Sequence, residues 1–167
     1  MLDHVLACET AVMDAAFYLQ INEFRSQSSV QLQMIDLRPS LLASKNESDA
    51  LELLHKALSF APLTAQEAAR LGFTREQAAR LWRILSAGGT ENRRLYRLPL
   101  YRSLAADIAG ADSFLRVAFI LEVFRERGLI TMKEDGEELI LRVLPDKNRV
   151  ELNECPYVQH VQLSARN

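Results

Sequence analysis

The chain has 167 residues, 49 % of them hydrophobic and 25 % charged, which is typical of a globular protein with one ordinary domain or two very small ones. No apolar run approaches the roughly eighteen residues of a transmembrane helix, and the N-terminus lacks the basic start of a secretory signal. The two cysteines, Cys8 and Cys155, show no ligand-like spacing. This pattern predicts a cytoplasmic protein without disulfides and without a membrane partner.

The formal net charge of −2 conceals an uneven distribution along the chain. Residues 70–102 contain eight arginines and two glutamates, a net charge of +6, between flanks with net charges of −5 and −3. A basic segment in an otherwise acidic chain indicates an anionic partner. Arginines on a helix surface are, however, more often plainly solvated, so both interpretations stay open at this point.

The first predicted element in chain order is a β-hairpin with arms at residues 14–24 and 29–37. Apolar and amide side chains alternate cleanly in the second arm, which is typical of a strand. Residues 25–29 are predicted to form a polar turn. Pro39 is predicted to stop the second arm because proline cannot donate to a strand ladder.

A run of helices is predicted after a polar linker at residues 40–48. Asp49 can cap the first helix, and capping boxes starting at Thr64 and Thr74 open the next two. Two further helices are predicted at residues 98–108 and 112–127. The side chains predicted to face the core are Leu51, Leu54 and Leu58 in the first helix, Ala78, Leu81, Trp82 and Leu85 in the third, and Phe114, Leu115, Val117, Ala118, Ile120, Leu121, Val123 and Phe124 in the last.

Two strands are predicted after the helices, at residues 129–133 and 138–144, joined by an acidic turn. Helices followed by a two-stranded ribbon are the order of a winged helix-turn-helix, in which residues 112–127 would be the third helix and residues 129–144 the wing. The tail from Pro145 onward shows no strong pattern.

Two N-terminal segments carry a resemblance to a known family. The segment NEFRSQSSVQLQMIDLRPS (residues 22–40) resembles the last hairpin of the OB-type domain in bacterial RecJ nucleases, although Ser26 stands where the family has a turn glycine. The segment LACETAVMDAAFYLQ (residues 6–20) resembles that family's approach to the hairpin. Three more segments are similar to the extra C-terminal domain of Firmicutes-type RecJ proteins. They are PLTAQEAARLGFTREQAARLWRIL (residues 62–85), FLRVAFILEVFRERGLITM (residues 114–132) and PDKNRVELNECPYVQ (residues 145–159).

The order of predicted elements gives an α+β fold, with an N-terminal β-hairpin followed by a mostly helical, winged-helix-like domain, and the resemblance implies that the hairpin is of OB-fold type. The predicted divisions are the hairpin at 1–39, the linker at 40–48, the helical domain at 49–144 and a C-terminal tail at 145–167. The unpaired edge of the hairpin is compatible with a homodimer.

The RecJ family is a single-stranded-DNA-specific 5′→3′ exonuclease of DNA repair and recombination, and its DHH-type core uses Mn or Mg held by several Asp and His ligands. Asp3-His4 is a lone dipeptide here, and no other part of that motif is present. The three histidines, His4, His55 and His160, lie in different segments without ligand spacing. The chain is therefore predicted to be non-catalytic by itself, with no metal or cofactor of its own.

The hairpin carries the first set of candidate binding residues. An OB hairpin binds single strands by combining cations with aromatic stacking platforms. Alternation puts Phe17, Leu19 and Ile21 on a core-facing side and leaves the opposite side for a ligand, although an ordinary exposed sheet face fits equally well. The candidates are Tyr18, Asn22, Phe24, Arg25, Gln31 and Gln33.

An arginine–tyrosine segment, residues 93–102, carries the second set: Arg93, Arg94, Tyr96, Arg97, Tyr101 and Arg102. These side chains can grip phosphates and stack on bases, or they can bind an acidic peptide. The alternative is a loop in which arginine stems simply cover the two tyrosines.

The predicted third helix is not expected to recognise the base sequence of duplex DNA. Its predicted exposed residues carry both positive and negative charges, and the wing turn is acidic. Those exposed residues are Arg116, Glu122, Arg125, Glu126 and Arg127. The expected function is therefore an accessory module of a RecJ-like exonuclease that binds single-stranded DNA. The alternative is a protein-interaction module that docks an acidic tail such as that of single-strand DNA-binding protein.

Overall fold

An N-terminal hairpin and a mostly helical region make up the chain, which confirms the predicted α+β class. The structure is a computed structural model that describes residues 13–24, 27–40, 42–108, 110–145 and 150–166. The chain separates into two compact units, Met1–Leu41 and Leu42–Asn167. We refer to the described part of the first as the hairpin and of the second as the helical unit.

The hairpin consists of two long antiparallel strands, β1 (Met13–Phe24) and β2 (Gln27–Pro39). The strands remain paired up to Phe24 and Gln27, so the prediction of a polar turn over residues 25–29 is wrong. Arg25 and Ser26 lie outside the described residues. The register shifts between Ala16 and Phe17, which marks a β-bulge. β2 ends at Pro39, as predicted from the missing proline N–H.

The register gives the hairpin two chemically different faces, because directly opposite residues of an antiparallel pair point to the same side. The apolar face is made of the pairs Phe17–Met34, Leu19–Leu32 and Ile21–Val30. The polar face is made of the pairs Tyr18–Gln33, Gln20–Gln31 and Asn22–Ser29. The prediction that Phe17, Leu19 and Ile21 belong to a core is wrong, because their exposed fractions are 54 %, 68 % and 69 %.

The helical unit contains six α-helices within its described residues, together with one 3₁₀ turn and a three-stranded sheet. The helices are α1 (Lys45–Leu58), α2 (Ala65–Leu71), α3 (Arg75–Ala87), α4 (Arg97–Ala106), α5 (Ser113–Glu126) and α6 (Pro156–Ser164), and the 3₁₀ turn is Leu152–Glu154. The strands are β3 (Arg93–Tyr96), β4 (Ile130–Asp135) and β5 (Glu138–Val143). The sheet is antiparallel throughout, in the order β3-β5-β4.

Side-chain caps determine where the first three helices begin. The predicted capping boxes at Thr64 and Thr74 are confirmed. Helix α1, however, begins at Lys45, inside the segment predicted to be a linker, so the prediction that Asp49 caps it is wrong. Ser44 is the cap: its hydroxyl accepts the Glu47 N–H at 3.3 Å, and the Glu47 carboxylate accepts the Ser44 N–H at 2.7 Å.

Helix α5 forms the centre of the core and contacts α1, α2, α4 and β4. All but one of its predicted core residues are buried, and Phe114 is partly buried against the same cluster. Trp82 packs edge-on against Phe124, with ring centroids 5.7 Å apart, and Phe73 packs similarly against Phe119 at 6.0 Å. The predicted inward positions of α3 are confirmed, with Trp82 partly buried.

The burial of Glu122 and the fold of the C-terminal segment differ from the predictions. Glu122 was predicted to be exposed, but it is 5 % exposed, because α5 is covered on nearly all sides by its neighbours. Residues 145–167, which showed no strong pattern, include the 3₁₀ turn and α6. Cys155, Val158 and Val161 of this segment are buried in the core. Within the described ranges, the helices are too short or too polar to span a bilayer.

Candidate functional site

The arginine–tyrosine segment folds into β3 and the start of α4, where the acidic turn between β4 and β5 pairs with its charges. Arg94 Nη1 lies 2.7 Å from Glu138 Oε2 and 3.7 Å from Asp135 Oδ2. Arg97 Nη1 lies 3.3 Å from Glu134 Oε1. The acidic turn that appeared to be a solvated loop therefore neutralises two of the predicted phosphate-binding arginines.

Arg93 turns back toward the end of helix α3. Its Nη2 donates a hydrogen bond of 3.1 Å to the Leu85 carbonyl oxygen. Gly88 makes this path possible, since a Cβ at that position would lie only 1.9 Å from Arg93 Nη1. Arg93 thus satisfies a carbonyl near the C-terminal end of α3, a position where cations are favourable.

Arg102 and Tyr101 are buried, at 8 % and 2 % exposure. Arg102 Nε and Nη2 donate to the two carboxylate oxygens of Glu47 at 2.6 and 2.9 Å, and Nη2 also donates to the Leu42 carbonyl oxygen at 2.7 Å. The Arg102 hydrogen bond lowers the pKa of Glu47, outweighing the opposing effect of burial. Burial raises the pKa of Tyr101. Neither residue offers a surface to a ligand in this conformation.

Among the predicted residues of this segment, Tyr96 and Arg94 are the most accessible, and both are exposed. Tyr96 opposes Glu138 in the β3–β5 register. The segment therefore presents an aromatic ring and an already paired guanidinium at one edge of the sheet. A phosphate would have to compete with Glu138 and Asp135 for Arg94.

The candidate residues of the hairpin remain accessible. Tyr18, Asn22, Gln31 and Gln33 all lie on the polar face and are exposed. Phe24 closes β1, but its side chain lies outside the described part of the structure, as does all of Arg25. The polar face thus combines one aromatic ring with a row of amides, without a charged side chain among its three cross-strand pairs.

A groove that was not predicted from the sequence lies beside helix α3. The groove has a volume of about 360 Å³ and lies between the first turns of α3 and residues 150–153. Phe73 and Trp82 supply aromatic walls, Ala78 and Ala79 leave space between them, and Arg75 stands at the rim. The i, i+4, i+7 spacing of Arg75, Ala79 and Trp82 was visible in the sequence, but the opposite wall comes from residues about 70 positions later.

Arg75 differs from the arginines of residues 93–102 in its surroundings. It is exposed at the first position of α3. Within the described ranges, no acidic side chain forms an ion pair with it. The groove therefore places a guanidinium without an ion-pair partner next to aromatic surface, and the exposed Glu151 also lines it. This arrangement suits a ligand that brings a carboxylate to Arg75 and an apolar group to the aromatic walls.

Two of the three histidines, His55 and His160, lie in the described part of the chain. His55 is exposed, and His160 Nε2 lies 3.0 Å from the Ala61 carbonyl oxygen. In the described part of the chain, no cluster of three His, Cys, Asp or Glu side chains is arranged to hold a metal ion.

Comparisons with protein-family models, with curated proteins and with solved structures found no match. The relation to RecJ therefore remains a prediction from the resemblance of short segments.

Proposed function

We propose that this chain is a non-catalytic accessory module of a RecJ-like single-stranded-DNA exonuclease, and that its helical unit docks an acidic, hydrophobic protein tail. A tail such as that of single-strand DNA-binding protein has this chemistry. The observation that carries the proposal is the groove, where Arg75, Phe73 and Trp82 meet, while the predicted arginines of residues 93–102 already contact other residues of the unit.

The order of elements supports a winged-helix-like interpretation of the helical unit. Helix α3 is followed by β3, then by α4 and α5, and finally by the β4–β5 ribbon. The sheet order β3-β5-β4 is the order expected when the strand after the first helix joins the wing. An OB-type origin for the hairpin is proposed from the resemblance of residues 22–40.

The charges of the unit favour a protein ligand over duplex DNA. Helix α5, the third helix of the proposed winged helix, is almost wholly buried, so it has little surface to insert into a groove of DNA. Around the β4–β5 turn four carboxylates (Glu134, Asp135, Glu137 and Glu138) outnumber the two arginines that pair with them, so the net negative charge would repel phosphates. Docking of a peptide beside α3 avoids both obstacles.

The groove offers complementary contacts for a short acidic tail. An aromatic residue of the tail can pack between Phe73 and Trp82, where ring contacts are favourable. A carboxylate can pair with Arg75, and charge-assisted hydrogen bonds of this kind are the stronger ones. A partly exposed ion pair contributes modestly, so most of the affinity should come from burial of the apolar part of the tail.

A second candidate function is the holding of single-stranded DNA on the polar face of the hairpin. The exposed Tyr18 ring and the amides of Asn22, Gln31 and Gln33 support it. Stacking of a base on an aromatic ring contributes about 1–3 kcal/mol. Arg94 and Arg97 are assigned no part in this function, because both already pair with acidic side chains.

The test is a fluorescence-anisotropy titration with two labelled probes, an acidic peptide that ends in an aromatic residue and a single-stranded oligonucleotide. Arg75→Glu should weaken peptide binding at least tenfold. Arg83→Glu, the same charge change on another exposed arginine of α3, should leave it unchanged. Equal loss with both variants, or no binding of the peptide at low salt, would overturn the docking proposal.

The oligonucleotide arm separates the two candidate functions. If the hairpin holds DNA, Tyr18→Ala should weaken oligonucleotide binding several-fold, while Arg75→Glu and Arg94→Ala have little effect. Loss of oligonucleotide binding on Arg94→Ala would instead return the DNA contact to residues 93–102. Salt dependence should be slight if stacking dominates and steep if arginines neutralise phosphates.

A further inference from the structure

Six of the twelve large hydrophobic side chains that are exposed among the described residues lie together on the apolar face of the hairpin. Its three cross-strand pairs are consecutive on one side of the ribbon, and every side chain exposes between 54 % and 69 % of its surface. None of these six side chains is charged. The residues that compose the face are Phe17, Leu19, Ile21, Val30, Leu32 and Met34.

A hairpin with such a face needs a covering layer. An isolated two-stranded hairpin is at best marginally stable in water, and stability comes from further strands or from packing of the apolar face. Pairing of two hairpins edge to edge would extend the sheet, but it would leave the apolar side chains of both copies in water. Packing of face against face removes them from water and forms two sheet layers about 10 Å apart.

We infer that a second copy of this chain covers the apolar face, so that two hairpins pack face to face in a two-fold symmetric dimer. Symmetric contacts bring the same patch of both subunits together, and an uncharged patch meets itself without like-charge repulsion. The exposed fractions of the six residues correspond to at most roughly 700 Å² of surface that each hairpin can bury, which is on the order of the ~800 Å² per partner of a standard interface.

This dimer goes beyond the proposed function and does not depend on it. It differs from a dimer through the hairpin edge, because the strand edges stay unpaired. The polar faces with Tyr18, Gln31 and Gln33 point away from the contact on both copies, since they lie on the opposite side of each ribbon. A dimer would therefore present two equivalent polar faces to solvent.

Sedimentation velocity of the full chain over a range of concentrations tests the inference. The unaltered chain should form a discrete dimer, and Leu19→Glu should weaken its association at least tenfold. Gln20→Glu adds the same charge to the adjacent residue on the opposite face and should leave the dimer intact. Trp82 emission and circular dichroism establish that the helical unit of each variant is folded.

A cross-linking experiment does not depend on a destabilising charge. In a Cys8→Ser background, a bifunctional maleimide that spans about 10 Å, the distance between packed sheets, should link two copies of Leu32→Cys, whereas it should not link copies of Gln33→Cys; Cys155 is buried. A monomer at all concentrations would overturn the inference and assign the face to a different polypeptide. A dimer that survives Leu19→Glu, or open-ended association, would overturn it as well.

Discussion

The hairpin and the helical unit differ most clearly in what surrounds their side chains. In the helical unit Leu121 is fully buried, and Arg102 is enclosed with its carboxylate partner Glu47. In the hairpin Leu19 lies at the middle of an apolar face and exposes 68 % of its surface. Apolar burial stabilises folded proteins in proportion to the area removed from water. The helical unit therefore buries most of its apolar side chains within itself, whereas the apolar face of the hairpin stays exposed.

This difference also separates the two sets of predicted binding residues. Residues 93–102 belong to the self-sufficient unit, and most of their charge is used to stabilise it. The polar face of the hairpin has no such internal role and stays available. A cluster of arginines in a sequence thus indicates a binding surface only where the fold leaves those arginines without an ion-pair partner, as it does for Arg75 among the described residues.

The largest expected effect comes from breaking the buried ion pair of the helical unit. Arg102→Met leaves the Glu47 carboxylate buried without its partner, which should lower the free energy of unfolding by about 3–5 kcal/mol. Arg94→Met removes an exposed pair and should cost at most about 1 kcal/mol. Urea denaturation followed by Trp82 fluorescence measures both. Equal losses for the two variants would contradict the assignment of Arg102 as a buried structural residue.

The second-largest expected effect is the difference in unfolding free energy between the same leucine substitution made in each of the two units. Leu121→Ala creates a cavity in the core and should cost about 2–5 kcal/mol. Leu19→Ala makes the same chemical change on the exposed apolar face and should shift the Trp82 unfolding transition by no more than about 0.5 kcal/mol. A large effect of Leu19→Ala on that transition would show that the hairpin contributes to the stability of the helical unit.

A smaller effect distinguishes the observed start of α1 from the predicted one. Ser44→Ala removes the hydroxyl that accepts the Glu47 N–H and should cost about 1 kcal/mol of unfolding free energy. Asp49→Ala changes an exposed residue inside the helix and should be nearly neutral. Urea midpoints of the two variants provide the measurement. A larger loss for Asp49→Ala would restore residue 49 as the cap.

The smallest expected effect is the pH dependence of stability that arises from two glutamates whose pKa values are shifted in opposite directions. Lys56 and Thr64 lower the pKa of Glu67 to about 2, so its contribution to stability is present above pH 4.5 and is lost as pH falls toward 2. Burial raises the pKa of Glu122, against the effect of Arg125. The contribution of Glu122 is therefore largest in acid and is lost as pH rises from 4.5 through its folded-state pKa.

Glu122→Gln tests that sign. The variant should be more stable than the unaltered chain at pH 7, because it avoids burial of a charge, and the difference should shrink at pH 4. Glu126→Gln, on the exposed side of the same helix, should show no such dependence. Urea unfolding at the two pH values decides the matter, and a loss of stability in Glu122→Gln at pH 7 would contradict the raised pKa.

Local signals in the sequence were sufficient for most of the helices. The capping boxes at Thr64 and Thr74 and the apolar density of residues 114–124 depend on neighbours a few positions apart, and their predictions are confirmed. The Ser44–Glu47 capping box has the same form but stood in a polar stretch that resembled a linker. Helix α6 begins with proline and is short, which left it without a clear pattern.

The contacts that define the candidate site could not be predicted in this way. Arg94 and Glu138 are 44 positions apart, and Arg102 and Glu47 are 55 apart. Charge counting treats such residues as independent, although the fold brings them within hydrogen-bonding distance. The groove has the same origin, since Trp82 meets residues 150–153 only after the chain has folded. The exposure of the apolar face was missed because alternation predicts two faces without showing which is covered.

The most direct test of the docking proposal uses the intrinsic fluorescence of Trp82, which lines the groove and is the one tryptophan of the sequence. Addition of an unlabelled acidic peptide ending in an aromatic residue should shift the Trp82 emission in a saturable manner, and Arg75→Glu should weaken the response at least tenfold. An emission spectrum that stays unchanged while the peptide binds elsewhere, or that responds equally in Arg75→Glu, would contradict the proposal.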